Sequence, residues 1–231
     1  MIVLGLDTAT PASVVGLRLA DGRTLQARDD PGPGQRPGHA TRLLPLAHEL
    51  LEEAGIDWPQ LERIAVGVGP GTFTGLRIGI ATARGLAQSL GVKLVGVSSL
   101  RALAHGAGER APRVLTAIDA RRGEVFVAAY EGEQELVAPH AAHPEELGEL
   151  LDDAAIELRS EEWLALGDGA LLYREAFERL GVHVDGSPGR HLIQARSVCA
   201  LGERASTSSE PILPDYRRRP DAEIALEGAR T

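Results

Sequence analysis

The chain has 231 residues, 43% of them apolar and only 3% aromatic, with a formal net charge of −9. That length allows one large domain or two small ones. The acidic balance argues against broad binding of a phosphate backbone by this chain alone. No apolar run approaches the ~18 residues that span a bilayer. The lone Cys199 rules out an internal disulfide framework and makes a cysteine metal site a poor candidate. Met1-Ile2-Val3-Leu4-Gly5 lacks a basic region and runs straight into a strand, so no signal peptide is expected, and the whole reads as cytoplasmic. Lys93 is the only lysine among 24 basic residues, a bias that fits a GC-rich genome better than heat adaptation.

In chain order, Ile2–Leu6 reads as a buried strand, Asp7–Pro11 as a turn and Ser13–Leu19 as a second strand. Asp21-Gly22 is a hairpin turn and Thr24–Arg28 a third strand. Residues 30–38 carry three Pro and three Gly and form a loop. His39–Ala54 has helical periodicity, ended by Gly55, and Pro45 should kink it or mark its first full turn. Ile64–Val68, Thr74–Leu90 and Lys93–Val97 continue as strand, helix and strand, completing a mixed-sheet α/β unit.

A second unit follows. Ser98–Ala107 is a helical connection, with Ser98-Ser99 as its cap. Arg113–Asp119 and Glu124–Tyr130 form a hairpin around residues 120–123. Then come a helix Pro144–Leu151, a strand Trp163–Leu166, a helix Leu171–Leu180, a short strand Val182–Val184 and a helix His191–Ala205. The tail holds Pro211, Pro214, Pro220 and Arg217-Arg218-Arg219 and is expected to be extended and partly ordered. Both halves start with hairpin strands and go on with alternating helices and strands. The expected division is 1–103, 104–205 and a tail at 206–231, with the halves as duplicated α/β domains.

The richest segment is Gly69-Pro70-Gly71-Thr72-Phe73-Thr74-Gly75-Leu76-Arg77, between a strand and a helix. Such turns present backbone N–H groups to anions or bring backbone close to a partner. The segment matches neither the Walker pattern nor the dinucleotide fingerprint, and a plain packing loop is the competing reading. Asp7-Thr8, at the end of the first strand, can place a metal-bound water and a phosphate-contacting hydroxyl, or form a local Asx or Thr turn. Gly75, Gly79, Ala83 and Ala87 recur in steps of four. They let another backbone approach, whether a partner's or the chain's own. On the first helix Leu43, Leu44, Leu46, Ala47, Leu50, Leu51 and Ala54 fill an arc of about 160°, wider than the ~100° of a one-sided helix. Part of that surface could face another subunit. Arg77 sits in the first turn of its helix, where the macrodipole disfavours a cation. A carboxylate partner, a recognition role and a local ion pair all remain open. The seven histidines show no pair at i,i+4 with a third ligand nearby.

Leu4-Gly5-Leu6-Asp7-Thr8-Ala9, Val66–Gly79 and Gly96-Val97-Ser98-Ser99-Leu100 together resemble the TsaB (YeaZ) family. That family is the dimerisation subunit of the bacterial machinery that makes threonylcarbamoyladenosine in tRNA. Ile118–Val125 and Leu166-Gly167-Asp168-Gly169-Ala170 carry the resemblance into the second half. It covers roughly residues 1–205.

The resemblance implies an actin-like, sugar-kinase-like (ASKHA) α/β fold of two related mixed-sheet domains facing a cleft. It implies a non-catalytic paralogue of the catalytic subunit TsaD, whose two metal-binding histidines correspond here to Ser99 and Leu103, neither a match for that pair. Asp7, Thr8, Gly69, Gly71, Gly167 and Gly169 would line a vestigial nucleotide cleft, with no required cofactor and at most weak ATP or ADP binding. Asp119-Ala120-Arg121-Arg122-Gly123 is bulky for a phosphate loop. The partner surface would lie on His39, Leu43, Leu46, Ala47 and Leu50 of the first helix. It would continue through Thr72, Phe73, Gly75, Arg77, Gly79, Ala83 and Ala87, burying on the order of 1,600 Å² as a helical bundle. The implied partners are a TsaD-like subunit, a TsaE-like ATPase, and a second copy when the chain is alone, with tRNA contacted mainly through those partners. A degenerate peptidase or ATPase and a homodimeric regulatory module are the rival readings.

Overall fold

The first sheet is built from β1 (Val3–Asp7), β2 (Ser13–Arg18), β3 (Thr24–Asp29), β4 (Arg63–Gly69) and β5 (Lys93–Ser98), in the order β3-β2-β1-β4-β5. The computed structural model describes residues 1–32, 34–108, 111, 113–154, 156, 162–208 and 210–217. β1, β2 and β3 are antiparallel, while β4 and β5 join β1 in parallel, so Leu4 sits opposite both Leu17 and Ile64. Strand pleating sends alternate residues to opposite faces. Leu4, Leu6, Val15, Leu17, Ile64 and Val66 meet α1 (His39–Ala54) and α2 (Phe73–Leu90) in one core. α1 runs through Pro45 without interruption, and α1 and α2 end at left-handed Gly55 and Gly91.

The opposite face carries Gly5 and Gly16, and the reason lies in the last helix, α7 (Ala195–Arg204). A Cβ on Gly5 would stand 2.7 Å from the Cys199 sulfur, and one on Gly16 would stand 2.8 Å from the Ala195 Cβ. The glycines therefore let α7 lie directly on β1 and β2. This corrects the expected division at 104–205: α7, assigned there to the second unit, packs on the first sheet, beside the connecting helix α3 (Ser99–Gly106). α3 and α7 form a middle layer, and one core of Val3, Leu100, Leu103, Ile118, Tyr130, Leu166 and Val198 runs through it from sheet to sheet.

The second sheet contains β6 (Arg113–Arg121), β7 (Glu124–Glu131), β8 (Gln134–Ala142), β9 (Leu164–Leu166) and β10 (His183–Val184), in the order β10-β9-β6-β7-β8. β6, β7 and β8 are antiparallel, and β9 and β10 extend β6 in parallel. Strand for strand this repeats the first sheet, as the shared rhythm of the halves implied. β8 escapes sequence detection because its apolar residues do not alternate cleanly with polar ones and Pro139 interrupts them, a proline that an edge strand tolerates. The outer face is covered by α4 (Leu147–Asp153), α5 (Asp168–Leu172) and α6 (Arg174–Arg179). The expected helix Leu171–Leu180 is thus two short ones, parted at Tyr173 (φ −113°). The expected helix His191–Ala205 begins only at Ala195, after a 3₁₀ turn and an extended link.

Candidate docking face and residual cleft

β1 ends at Asp7 and β6 runs past Asp119, and each leads into a turn beside the gap between the halves. Asp7 is 1% exposed. Its carboxylate accepts the Ser99 hydroxyl at 2.7 Å and the Ala9 N–H at 2.9 Å. Burial pushes its pKa up, against the pull of those two donors. The carboxylate is turned inward, against Gly67, where a Cβ would overlap it. Thr8 is fully buried and its hydroxyl donates to the Gly75 carbonyl at 2.8 Å. Asp7 and Thr8 are therefore spent inside the fold, while Thr10 of the same turn is only half-buried. Ser99 is fully buried beside Asp7, and Leu103 lies inside the core. Among the described residues no group of three or more His, Cys, Asp or Glu could hold a metal ion.

Gly69 (φ 102°) and Gly167 (φ 115°) end β4 and β9 in conformations that L side chains rarely adopt. Gly71 lies against Ala9, and the Thr72 N–H donates to the Ala9 carbonyl at 2.8 Å. Gly169 lies against β6 at Ala117 and Ile118. These glycines bring a helix start down onto the end of a neighbouring strand, which is the packing reading of the segment. At the β6–β7 turn Arg121, Arg122 and Gly123 all have positive φ. The Arg121 guanidinium pairs with Asp119 at 3.0 Å, and Asp168 accepts the backbone N–H of Asp119 and of Gly169. Burial raises the Asp168 pKa and nearby Asp119 adds to the rise. Between the halves lies a cleft of 160 Å³ lined by Thr10, Arg28, Asp30, Asp168 and Leu192.

The expected partner stripe takes a different place. A Cβ on Gly75 would overlap the Thr8 carbonyl, and one on Gly79 the Thr8 hydroxyl. Ala83 and Ala87 are buried in the first core. The stripe's partner is thus the chain's own β1–β2 turn and sheet, correcting its placement on a free surface. The same holds for Leu43, Leu46, Ala47 and Leu50, all buried under α1. His39 is 3% exposed and hydrogen-bonded to Ser13 at 2.9 Å, with burial lowering its pKa. Of the proposed set, Thr72, Phe73 and Arg77 retain exposure. The Arg77 guanidinium lies 3.7 Å from the Phe73 ring centre, and its Nε donates to the Tyr216 hydroxyl at 2.8 Å. Arg77 is held by aromatic groups rather than by a carboxylate.

What the first helices do present outward is a different set. Leu44 is 47% exposed on α1. On α2, Ala81 and Gly85 are exposed, flanked by half-buried Ile78 and Thr82, and nothing lies within 4 Å of where a Gly85 Cβ would stand. Positions 78, 81, 82 and 85 form an i, i+3, i+4, i+7 set. It was available in the sequence but overshadowed by the more regular inner stripe. The Asp7–Ser99 contact and the tail residue Tyr216 carried no sequence signal, because each depends on pairing across 92 or more residues.

Two sheets of one strand order, a shared middle layer of helices and glycine-bound turns facing a cleft define an actin-like, sugar-kinase-like protein. Ethanolamine utilization protein EutJ from Carboxydothermus hydrogenoformans has the same fold at a TM-score of 0.56 and 15% identity, over 87% of this chain and 90% of that one. A family model described as TsaD, tRNA N6-adenosine threonylcarbamoyltransferase, matches residues 35–184. The Escherichia coli (strain K12) tRNA threonylcarbamoyladenosine biosynthesis protein TsaB is 38% identical over 175 residues, 73% of this chain and 72% of that protein. YeaZ from Pseudomonas aeruginosa superposes with a TM-score of 0.77 at 33% identity, covering 93% of this chain and 99% of that one. The chain belongs to the TsaB (YeaZ) family.

Proposed function

We propose that this chain is a non-catalytic subunit of tRNA threonylcarbamoyladenosine biosynthesis that docks a TsaD-type catalytic subunit through the outer face of α1 and α2. The observation that carries it is the fate of the first turn. Asp7 and Thr8, the groups a phosphate or metal-bound water would need, are consumed by Ser99, Ala9 and Gly75. None of Asp7, Thr8, Gly69, Gly71, Gly167 and Gly169 lines the 160 Å³ cleft between the halves, which is itself smaller than the ~300 Å³ of a typical small-molecule pocket. ATP or ADP would bind weakly if at all, and mainly within the assembled complex. The outer helical face stays free of the chain's own packing at Leu44, Ala81 and Gly85. Ala81 and Gly85 are small enough to allow close helix approach, and Leu44 supplies the apolar knob. Such docking would hold the catalytic subunit in a productive arrangement and help form the place where a TsaE-like ATPase engages. Given the acidic balance of the chain, tRNA would be gripped mainly by the partners.

Light scattering on the chain alone, and mixed with the TsaD-type subunit from the same organism, tests this reading. A homodimer that exchanges into a heterodimer is the expected result. A chain indifferent to the catalytic subunit, or a modification reaction that runs equally well without it, would sink the proposal. Nucleotide or peptide hydrolysis by the pure chain, abolished by Asp7→Ala, would favour an enzyme instead.

A further inference from the structure

Residues 210–217 do not trail into solvent. They cross the first sheet beside α2, on the side away from α1. The side chain of Ile212 joins the first core and passes over Gly96 of β5. The Asp215 N–H donates to the Val68 carbonyl at 2.7 Å, and Arg84 of α2 donates to the Ile212 carbonyl at 2.8 Å. At the far end Tyr216 stacks on Phe73 with ring centres 5.0 Å apart and accepts the Arg77 hydrogen bond. These interactions fix a segment that has no helical or strand structure of its own. Yet two of its large apolar side chains face water: Leu213 is 65% exposed and Tyr216 is 42% exposed. An extended segment held this firmly, with Ile212 inward and Leu213 outward, forms a third lane next to the two helices.

We infer that this tail lane is part of the docking face, with Leu213 and Tyr216 as apolar anchors for the TsaD-type subunit. The inference rests on the docking reading above and adds a surface to it. Area supports the addition. α1 and α2, with 16 and 18 residues, are ~24 and ~27 Å long at 1.5 Å per residue. Two lanes ~10 Å wide offer ~500 Å², short of the ~800 Å² per partner in a standard interface. The tail lane, eight residues extended at ~3.3 Å each, adds ~260 Å² at the same width and nearly closes the gap. Ordering cost points the same way: the tail is already fixed in the free chain, so its apolar groups need no further ordering on docking. Charge fits one kind of mate. Glu49, Glu52 and Glu53 are exposed on α1, whereas Arg77 and Arg84 lie along α2; on the tail Arg217 is paired with Asp215 at 2.6 Å. The partner would present an apolar helical centre with acidic groups opposite α2 and apolar groups opposite the tail lane.

The test is Leu213→Glu in the full chain, titrated calorimetrically against the TsaD-type subunit of the same organism, with Leu44→Glu in parallel. Leu213 is mostly exposed, so the melting temperature should stay at the wild-type value. The expected result is a dissociation constant at least tenfold weaker for each variant. Wild-type affinity in Leu213→Glu together with a weakened Leu44→Glu would overturn the tail lane while leaving helix docking intact. Tighter binding by Leu213→Glu would make the tail a cover rather than an anchor, and also overturn it. So would an effect confined to self-association, since the occupant would then be a second copy. No binding by the wild-type chain would instead remove the docking reading itself.

Discussion

The two halves of this molecule share one strand order and diverge wherever a ligand or a partner would be met. In the first half the turn after β1 is long and made of small residues, with Asp7 buried against Ser99 and Thr8 buried against α2. In the second half the turn after β6 is closed by Arg121, Arg122 and Gly123, whose positive φ costs roughly 1–2 kcal/mol for each non-glycine residue. Asp7 and Asp119 stand at equivalent strand ends. Asp7 is sealed behind Ser99, whereas Asp119 pairs with Arg121 near the surface. The first sheet carries two long helices and the second carries three short ones. A duplicated scaffold has kept the contacts that pack a helix onto a strand end. Among the described residues, the long helices with an outer face are those of the first half.

Substitution of the glycines that seat the helices should have the largest effect, and an equal one in both halves. Gly75→Val and Gly167→Val each drive a side chain into a carbonyl oxygen, of Thr8 and of Ala117. Urea unfolding should show a loss of about 3 kcal/mol or more for each. A mild effect in one half alone would break the equivalence.

The aspartates should then separate the halves. Asp7→Ala strands a buried hydroxyl and a buried N–H, costing about 1–3 kcal/mol. Asp119→Ala removes a partly exposed pair and should cost less than about 1 kcal/mol. Asp7→Asn preserves the shape and removes a charge that burial disfavours, so it should unfold at or above the wild-type urea midpoint at pH 8. Strong destabilisation by Asn would mean that the ionised form is needed.

Gly85→Leu adds bulk where the chain itself has open space. It should leave the melting temperature at or above the wild-type value, since leucine is the better helix former, and weaken association with the TsaD-type subunit at least tenfold. Leu172→Glu, an exposed position on the second half, should leave association unaltered. Reversed results would move the docking face to the second half.

The smallest expected effect is on pH dependence. Burial depresses the His39 pKa, so the unfolded chain takes up a proton that the folded chain refuses. Stability is present above about 6.5, the ordinary histidine value, and is lost as pH falls toward the depressed one. Asp7 and Asp168 act in the opposite sense. Their raised pKa values favour the fold below the ordinary carboxylate value, a contribution lost as pH rises through the folded ones. Unfolding free energy measured from pH 5 to 8 should flatten on its acidic side in His39→Gln. An unchanged slope would assign it elsewhere.

Periodicity and turn chemistry made the first sheet, its two helices and the glycine loop legible within a residue or two. These elements are strongly patterned and locally capped. The edge strand β8 and the broken helix at Tyr173 were not legible, since Pro139 interrupts the strand's pattern and a short helix borrows its order from what it packs on. Arg217 is described, but the rest of the Arg217–Arg219 cluster lies outside the described residues. The sequence by itself determined the duplicated α/β plan, the family and the segments where small residues allow close approach. Only the tertiary structure decided what approaches them. A stripe of glycine and alanine specifies a short distance and is silent about the identity of the neighbour. That neighbour is the β1–β2 turn of the same chain. The wheel position of Leu44 and Gly85, the inward turn of Asp7 and the docking of the tail on α2 all follow from contacts between residues far apart in the chain.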